Sequence, residues 1–249
     1  MSRNSSAVRS HAQYSVRETH AARVRETEAA CDAATAVLSA LPEADNSPGA
    51  VERMLRANGI LRNLPWPPPF DQTRHRLRIG DARDLSWLDD ASIHLVVTSP
   101  PHWTLKDYQP GAIIKNDVEY ILFLRKGGEY RSPSAFQRVL SMLTKEEMQS
   151  WTRSTWSDVR GESTRKGHPA PFPIALAERL IKMFSFAGDT VLDPFSGTGS
   201  TSLAALETGR HSIGNEIEPM CHRLAAQRLE EAAWLPRSVG AVHATVELQ

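Results

Sequence analysis

The stretch DTVLDPFSGTGSTSLAALETG, residues 189–209, constrains this chain more than any other. Its apolar start reads as a buried strand, its middle as a glycine loop and its end as a helix. HSIGNEIEPMCHRLAAQRLEEA, residues 211–232, repeats the alternation: strand, acidic loop, helix. Ahead of both, PFPIALAERLIKMFS, residues 171–185, has the period of an amphipathic helix. Strands and helices joined by short links predict an α/β fold, a three-layer sandwich on a parallel sheet.

Earlier segments extend the pattern. HRLRIGDARDL places Leu77 and Ile79 on a strand that stops at Gly80 and Asp81, and SIHLVVTS, residues 92–99, reads as the next strand. NDVEYILFLRKGGEY, residues 116–130, reads as a third, closed by a Gly-Gly turn. TKEEMQSWTR opens a helix whose Thr144 and Glu147 make a capping box. Residues 18–40 are alanine-rich and helical by propensity, PEADNSPG breaks that helix, and a short helix is expected over 50–58. The prolines of NLPWPPPF, residues 63–70, make a stiff connector. The expected division is an N-terminal appendage over 1–70, a main domain over 71–235 holding a small insertion at 126–168, and a tail over 236–249.

In open α/β sheets, ligands sit beyond the carboxyl ends of the strands. Three segments with chemical potential fall there. Gly197 and Gly199 lack a Cβ, so their loop lets backbone amides approach a ligand. Neither the three-glycine dinucleotide pattern nor a phosphate-gripping Gly-Lys-Ser/Thr follows. Glu216 ends the next strand, where an acid accepts ribose hydroxyls; Asp81 ends another and suits an adenine amine. An adenosine with an uncharged linkage fits better than a pyrophosphate. The competing reading is a plain strand-to-helix turn. The third segment is VVTSPPHW, residues 96–103. Its prolines forbid helix, which leaves the carbonyls of Ser99 and Pro100 without intrahelical donors. With the Ser99 hydroxyl they can hold an NH2 group, while His102 and Trp103 offer rings to stack on a heterocycle. A rigid turn capping a strand explains the same residues.

Composition excludes several classes. Lys plus Arg and Asp plus Glu both number 29, so no global field marks a nucleic-acid binder. Two distant cysteines form no metal-ligand spacing and no disulfide framework, and no metal is expected. The apolar runs are too short to span a membrane, and MSRNSSAVRSHAQYS has no signal-peptide core. A cytoplasmic protein is expected.

TSPPHW, TLKDY, GHPAPFP, DTVLDPFSGTGST and SIGNEIEP, in that order, resemble the amino-group DNA methyltransferases that use S-adenosyl-L-methionine, in their circularly permuted subclass. The resemblance covers roughly residues 74–232 and leaves the N-terminal 70 uncovered. It implies a Rossmann-like methyltransferase fold. Ser99, Pro100, Pro101 and His102 would be the catalytic corner, His102 standing where the family usually has a stacking tyrosine. Asp193, Pro194, Phe195, Gly197, Gly199 and Thr201 would form the cofactor loop. Glu216 would bind the ribose and Asp81 the adenine end, and His168 and Pro169 would close over the methionine part. A serine opening the corner resembles the enzymes that methylate cytosine N4; adenine N6 is the alternative. Double-stranded DNA is the implied partner, its target base flipped into the pocket.

In the family, several elements separate the counterparts of TLKDY and NDVEYILFLRK. Here about a dozen residues join them, as if an internal segment were deleted after Pro110. A sheet short of central strands exposes apolar edges, so self-association or a second chain completing the sheet is expected, and an inactive relative is the alternative reading. Residues 111–168 hold ten Lys or Arg against seven Asp or Glu, with Arg160, Arg165 and Lys166 clustered before HPAPFP. They are read as a DNA-contact loop, or as an ordinary solvated one.

Overall fold

A computed structural model describes residues 26, 28–41, 47–99, 120–159, 173–235, 237 and 239–249. Five parallel strands form one sheet: β1 Gln72–Ile79, β2 Leu95–Val96, β3 Thr190–Asp193, β4 His211–Glu216 and β5 His243–Leu248. Their spatial order is β2-β3-β4-β1-β5. Helices α5 Ile174–Phe184, α6 Ser200–Glu207 and α7 Pro219–Trp234 pack on one face. On that face Leu77 meets Leu203, Leu206, Ala225 and Leu229, while Val97 and Val191 meet Ala177, Ile181, Ala204 and Ala205. This parallel sheet with crossover helices is a Rossmann-like α/β fold.

The sequence explains which strands lie where. β3 and β4 are buried almost throughout, as inner parallel strands must be. β1 alternates: Thr73, His75 and Leu77 point into the helix layer, and Arg74, Arg76 and Arg78 point the other way. There the guanidinium carbons of Arg78 and Arg76 lie 4.5 and 5.7 Å from the Trp87 ring, so two cations share one aromatic face.

The N-terminal helices, α1 over 28–39 and α2 Pro48–Leu61, are part of the same body. Ser47 caps α2, with Pro48 at its first position. Ala34, Leu38, Met54, Ala57 and Leu61 bury themselves with Trp66, Ala187 and Val139 and Leu140 of α3 Ala135–Leu140. This second core sits under the amino ends of the strands. Gly209, which precedes β4 by two residues, approaches Trp66 so closely that a Cβ would lie 2.2 Å from the ring.

An ionic junction ties the two cores. Glu147 of α4 Lys145–Trp151 accepts from Arg62 Nη2 at 2.6 Å and from Lys182 Nζ of α5 at 2.6 Å, and completes the capping box with Thr144. Burial pushes its pKa up, but the bonds from Arg62, Lys182 and the Thr144 N–H outweigh this and hold it at about 2. A depressed carboxylate stabilises the fold above its usual range, and that contribution is lost as pH falls from the ordinary glutamate range toward about 2. Glu147→Ala should cost about 2 kcal/mol at neutral pH, since two cations and a cap lose their acceptor. Urea midpoints measured at pH 7 check this; a change near zero would mean that the junction contributes nothing.

Two sequence expectations fail. Residues 120–130, read as most of a third strand, form none. Tyr120, Leu122 and Leu124 stay exposed, although Phe123 stacks on Phe184 at 4.5 Å between ring centroids. β propensity becomes a strand only beside a partner, and among the described residues β2 forms the sheet's edge with two residues. The site of the inferred deletion, after Pro110, lies outside the described residues. Residues 236–249, read as a tail, instead contain β5, which pairs with β1 over Gln72–Leu77. Only Ala244 and Val246 of that strand pack against the helix layer, too few apolar positions to show a period. Among the described residues no helix is long and apolar enough to cross a membrane.

Candidate active site

Because all the strands are parallel, Asp81, Ser99, Asp193 and Glu216 all lie at the same end of the sheet. The permuted order means that neighbours in space are distant in the chain. The Val97 N–H donates to Leu192 O at 3.0 Å, continuing the β2–β3 ladder to the corner. One residue on, the Thr98 hydroxyl donates to Asp193 Oδ1 at 2.7 Å, and Ser99 follows, exposed. Ser99 and the glycine loop therefore lie on one rim. Pro100, Pro101, His102, His168 and Pro169 lie outside the described residues, as do Trp103, Arg160, Arg165 and Lys166.

Asp193 and Thr201 lie beneath the rim. Asp193 is 4% exposed. Its Oδ1 also accepts the Phe195 N–H at 3.1 Å, and its Oδ2 accepts the Thr201 hydroxyl at 2.7 Å. Burial raises the Asp193 pKa and Glu216 adds to the rise, while the bonds from Thr201, Thr98 and Phe195 oppose it. The carboxylate thus joins the end of β2, the start of the loop and the first turn of α6, and its bonds point into the protein.

The loop itself is built for close approach. Gly197 and Gly199 have φ of 51° and 80°, left-handed values that a Cβ would strain. A Cβ on Gly199 would also sit 3.0 Å from the Ala225 Cβ, so this glycine lets α6 and α7 pack closely. Phe195 is 40% exposed at the rim beside Pro194. From α7, the Arg228 guanidinium donates to Thr198 O at 2.6 Å and pins the loop from outside.

Glu216 faces that loop. Its Oε2 accepts the Gly197 N–H at 2.7 Å and its Oε1 the Glu218 N–H at 2.9 Å, which leaves each oxygen a lone pair. Asp81 ends the adjacent strand, where the Gly80 N–H donates to Glu216 O at 2.9 Å. Its carboxylate is turned to exposed Arg83, whose bonds lower its pKa to about 2. Between them, Asn215 donates from Nδ2 to Gly80 O at 2.9 Å, while its buried Oδ1 has no partner among the described residues. The spare lone pairs of Glu216 beside the glycine loop suit a ligand with hydroxyl donors.

Sequence reasoning missed Thr98, Asn215 and Arg228. Thr98 and Asn215 are polar residues closing apolar strands, a signal that was visible in the sequence; Arg228 lies mid-helix and carried none. Two cations of the basic segment have partners within the protein: Arg131 gives both Asp189 oxygens a bond at 2.6 Å, and the Arg125 guanidinium lies 3.8 Å from the Tyr130 ring centroid.

Fold and rim together define a Rossmann-like α/β protein with a glycine loop and two acids at its strand ends. The family model for DNA methylases matches residues 110–227. A protein of Thermus thermophilus, assigned as a DNA modification methylase and crystallised with S-adenosyl-L-methionine, is 33% identical. It superposes with a TM-score of 0.57 over 70% of this chain and 97% of that one. The type II methyltransferase M.MjaI of Methanocaldococcus jannaschii is 47% identical over 116 residues, 44% of this chain and 37% of that protein. M.MthZI of Methanothermobacter thermautotrophicus is 38% identical over 139 residues, 52% of this chain and 39% of that protein. The chain belongs to the DNA methylase family. It spans less than two fifths of the length of these two curated relatives.

Proposed function

We propose that this chain is a DNA amino-methyltransferase acting in the cytoplasm, moving a methyl group from S-adenosyl-L-methionine to the exocyclic N4 of cytosine in double-stranded DNA. The observation that supports this reading is the 2.7 Å bond from Thr98 to Asp193, which joins the end of β2, one residue before Ser99, to the start of the glycine loop. S-adenosyl-L-methionine, when bound, supplies an electrophilic methyl group. The chain's own residues do the rest. Gly197 and Gly199 keep the loop free of side-chain bulk, and the spare lone pairs of Glu216 receive ribose hydroxyls. Asp81, once Arg83 swings away, is an acceptor for the adenine amine. Asp193 and Thr201 act as positioning residues under the loop.

At the corner, the Ser99 hydroxyl and the Pro100 carbonyl accept the two hydrogens of the target amine. That turns the nitrogen lone pair, otherwise drawn into the ring, toward the methyl donor; the nitrogen would gain the methyl group as its bond to the donor sulfur breaks, and would give up one proton to solvent. His102 stacks on the flipped base. His168 and Pro169 close the cleft over the methionine end. The serine that opens the corner favours cytosine over adenine.

The test is transfer of tritiated methyl from labelled cofactor to mixed-sequence duplex DNA, followed by hydrolysis and nucleoside analysis. Labelled N4-methylcytosine is expected. Labelled N6-methyladenine overturns the base assignment, and label in RNA or protein alone overturns the substrate. No transfer, with no cofactor heat by calorimetry, identifies an inactive relative. Ser99→Ala should reduce the rate at least about tenfold, the effect of losing one positioned hydrogen bond, with cofactor affinity unchanged. An equal loss of cofactor binding would mean that Ser99 lies on the cofactor side of the cleft.

A further inference from the structure

The edge of the sheet away from the proposed active corner is β5. His243 donates its N–H to Asp71 O at 3.0 Å and Gln249 donates its own to Leu77 O at 2.9 Å, both toward β1. Strand alternation therefore turns the N–H and C=O groups of Ala244, Val246 and Leu248 outward, and no strand among the described residues meets them. Such a row is a template for another strand. Edge strands are commonly guarded by lysine, proline or a bulge, and HATVEL has none of these.

Two further observations say what fits there. First, the outward face of β5 is its own complement. His243 and Glu247 stand two residues either side of Thr245, all exposed. If two β5 strands pair antiparallel about Thr245, each His243 falls opposite the other copy's Glu247. Ala244 then faces Val246 as a hydrogen-bonded pair, the residues whose backbone groups point outward. The His–Glu positions become the close, non-hydrogen-bonded pairs in which side chains interact most. The register that satisfies the backbone also sets each histidine opposite a carboxylate. Second, apolar surface flanks this edge. Trp234 is 87% and Leu235 65% exposed at the end of α7, and Glu230, Ala233, Trp234, Ala244 and Val246 line an open depression between α7 and the strand.

We propose that β5 pairs with β5 of a second copy of this chain, antiparallel about a two-fold axis at Thr245, making one continuous ten-stranded sheet from two five-stranded ones. A two-fold interface of this kind uses the same patch on both copies. Trp234 and Leu235 of each copy cover the helix side of the seam. The proposal is independent of the reaction assigned above.

Sedimentation equilibrium of the full chain, from micromolar to submillimolar concentration, is the test. Wild type is expected to shift to twice the 27.6 kDa chain mass. His243→Glu sets carboxylates against each other at both ends of the seam and should leave a monomer. Adding Glu247→His to it restores opposite partners and should restore the dimer. Ala244→Pro removes an outward donor while leaving the β1–β5 ladder, and should also give a monomer, with unchanged circular dichroism showing that the fold is kept. A monomeric wild type overturns the proposal. So does a dimer that survives both His243→Glu and Ala244→Pro, and a double variant that stays monomeric overturns the register.

Discussion

Asp193→Ala should lower unfolding stability by about 3 kcal/mol or more, the largest loss expected from any single rim substitution. The reason is what the alanine leaves behind. The hydroxyls of Thr98 and Thr201 and the N–H of Phe195 all donate to this carboxylate. Each buried donor left unpaired costs about 1–3 kcal/mol, and the cavity is polar on every side. Asp193→Asn should cost far less, because the amide keeps one acceptor, a hydroxyl can turn to accept from its Nδ2, and a neutral group is cheaper to bury. Denaturant midpoints for the two variants check this. Cofactor calorimetry on the folded asparagine variant then isolates positioning: affinity should fall with the fold intact, because the loop and the corner share this one anchor. An alanine variant as stable as wild type would show that the three bonds contribute nothing.

The second large effect is acid sensitivity from His75. This side chain is fully buried, with Nδ1 2.8 Å from Ser212 Oγ and Nε2 2.9 Å from Thr73 Oγ1. Burial lowers its pKa from 6.5 to about 3, and the charges of His211 and Arg237 add to the shift. The neutral ring is the folded form, so its contribution is complete above pH 6.5. Below that the unfolded chain takes up a proton that the folded chain refuses, and stability declines until pH reaches about 3. At about 1.4 kcal/mol per unit, the total is several kcal/mol, a large share of what such a domain has. His75→Gln keeps both hydrogen-bonding ends and does not titrate. Urea midpoints followed from pH 7 to pH 4 should fall steeply for wild type and more gently for the variant. Parallel curves would place the acid sensitivity elsewhere, with Glu147 and the half-buried His211 the next groups to test.

The elements readable without coordinates were those whose signal is local. The apolar run and glycines of DTVLDPFSGTGST sufficed for strand, loop and helix, since glycine adopts the left-handed turns at 197 and 199 without the strain a Cβ brings. Thr144 and Glu147 form their capping box within four residues. Glu216 could be placed as a loop-facing acid by counting one strand past the glycines. Distance in the chain hid the rest. Thr98 and Asp193 are 95 residues apart, and nothing in either segment announces their bond. The YILFL run had every mark of a strand and is none, because a strand needs a neighbour. β5 looked like a tail and is a strand, because β1 offers it a ladder. The sequence by itself determined the strand–loop–helix units and the residues able to do chemistry, since these depend on backbone sterics and short-range hydrogen bonds. Which strand ends meet, which carboxylate turns inward and which sheet edge stays open were decided only by tertiary packing, where burial and pairing across the whole chain outweigh local preference.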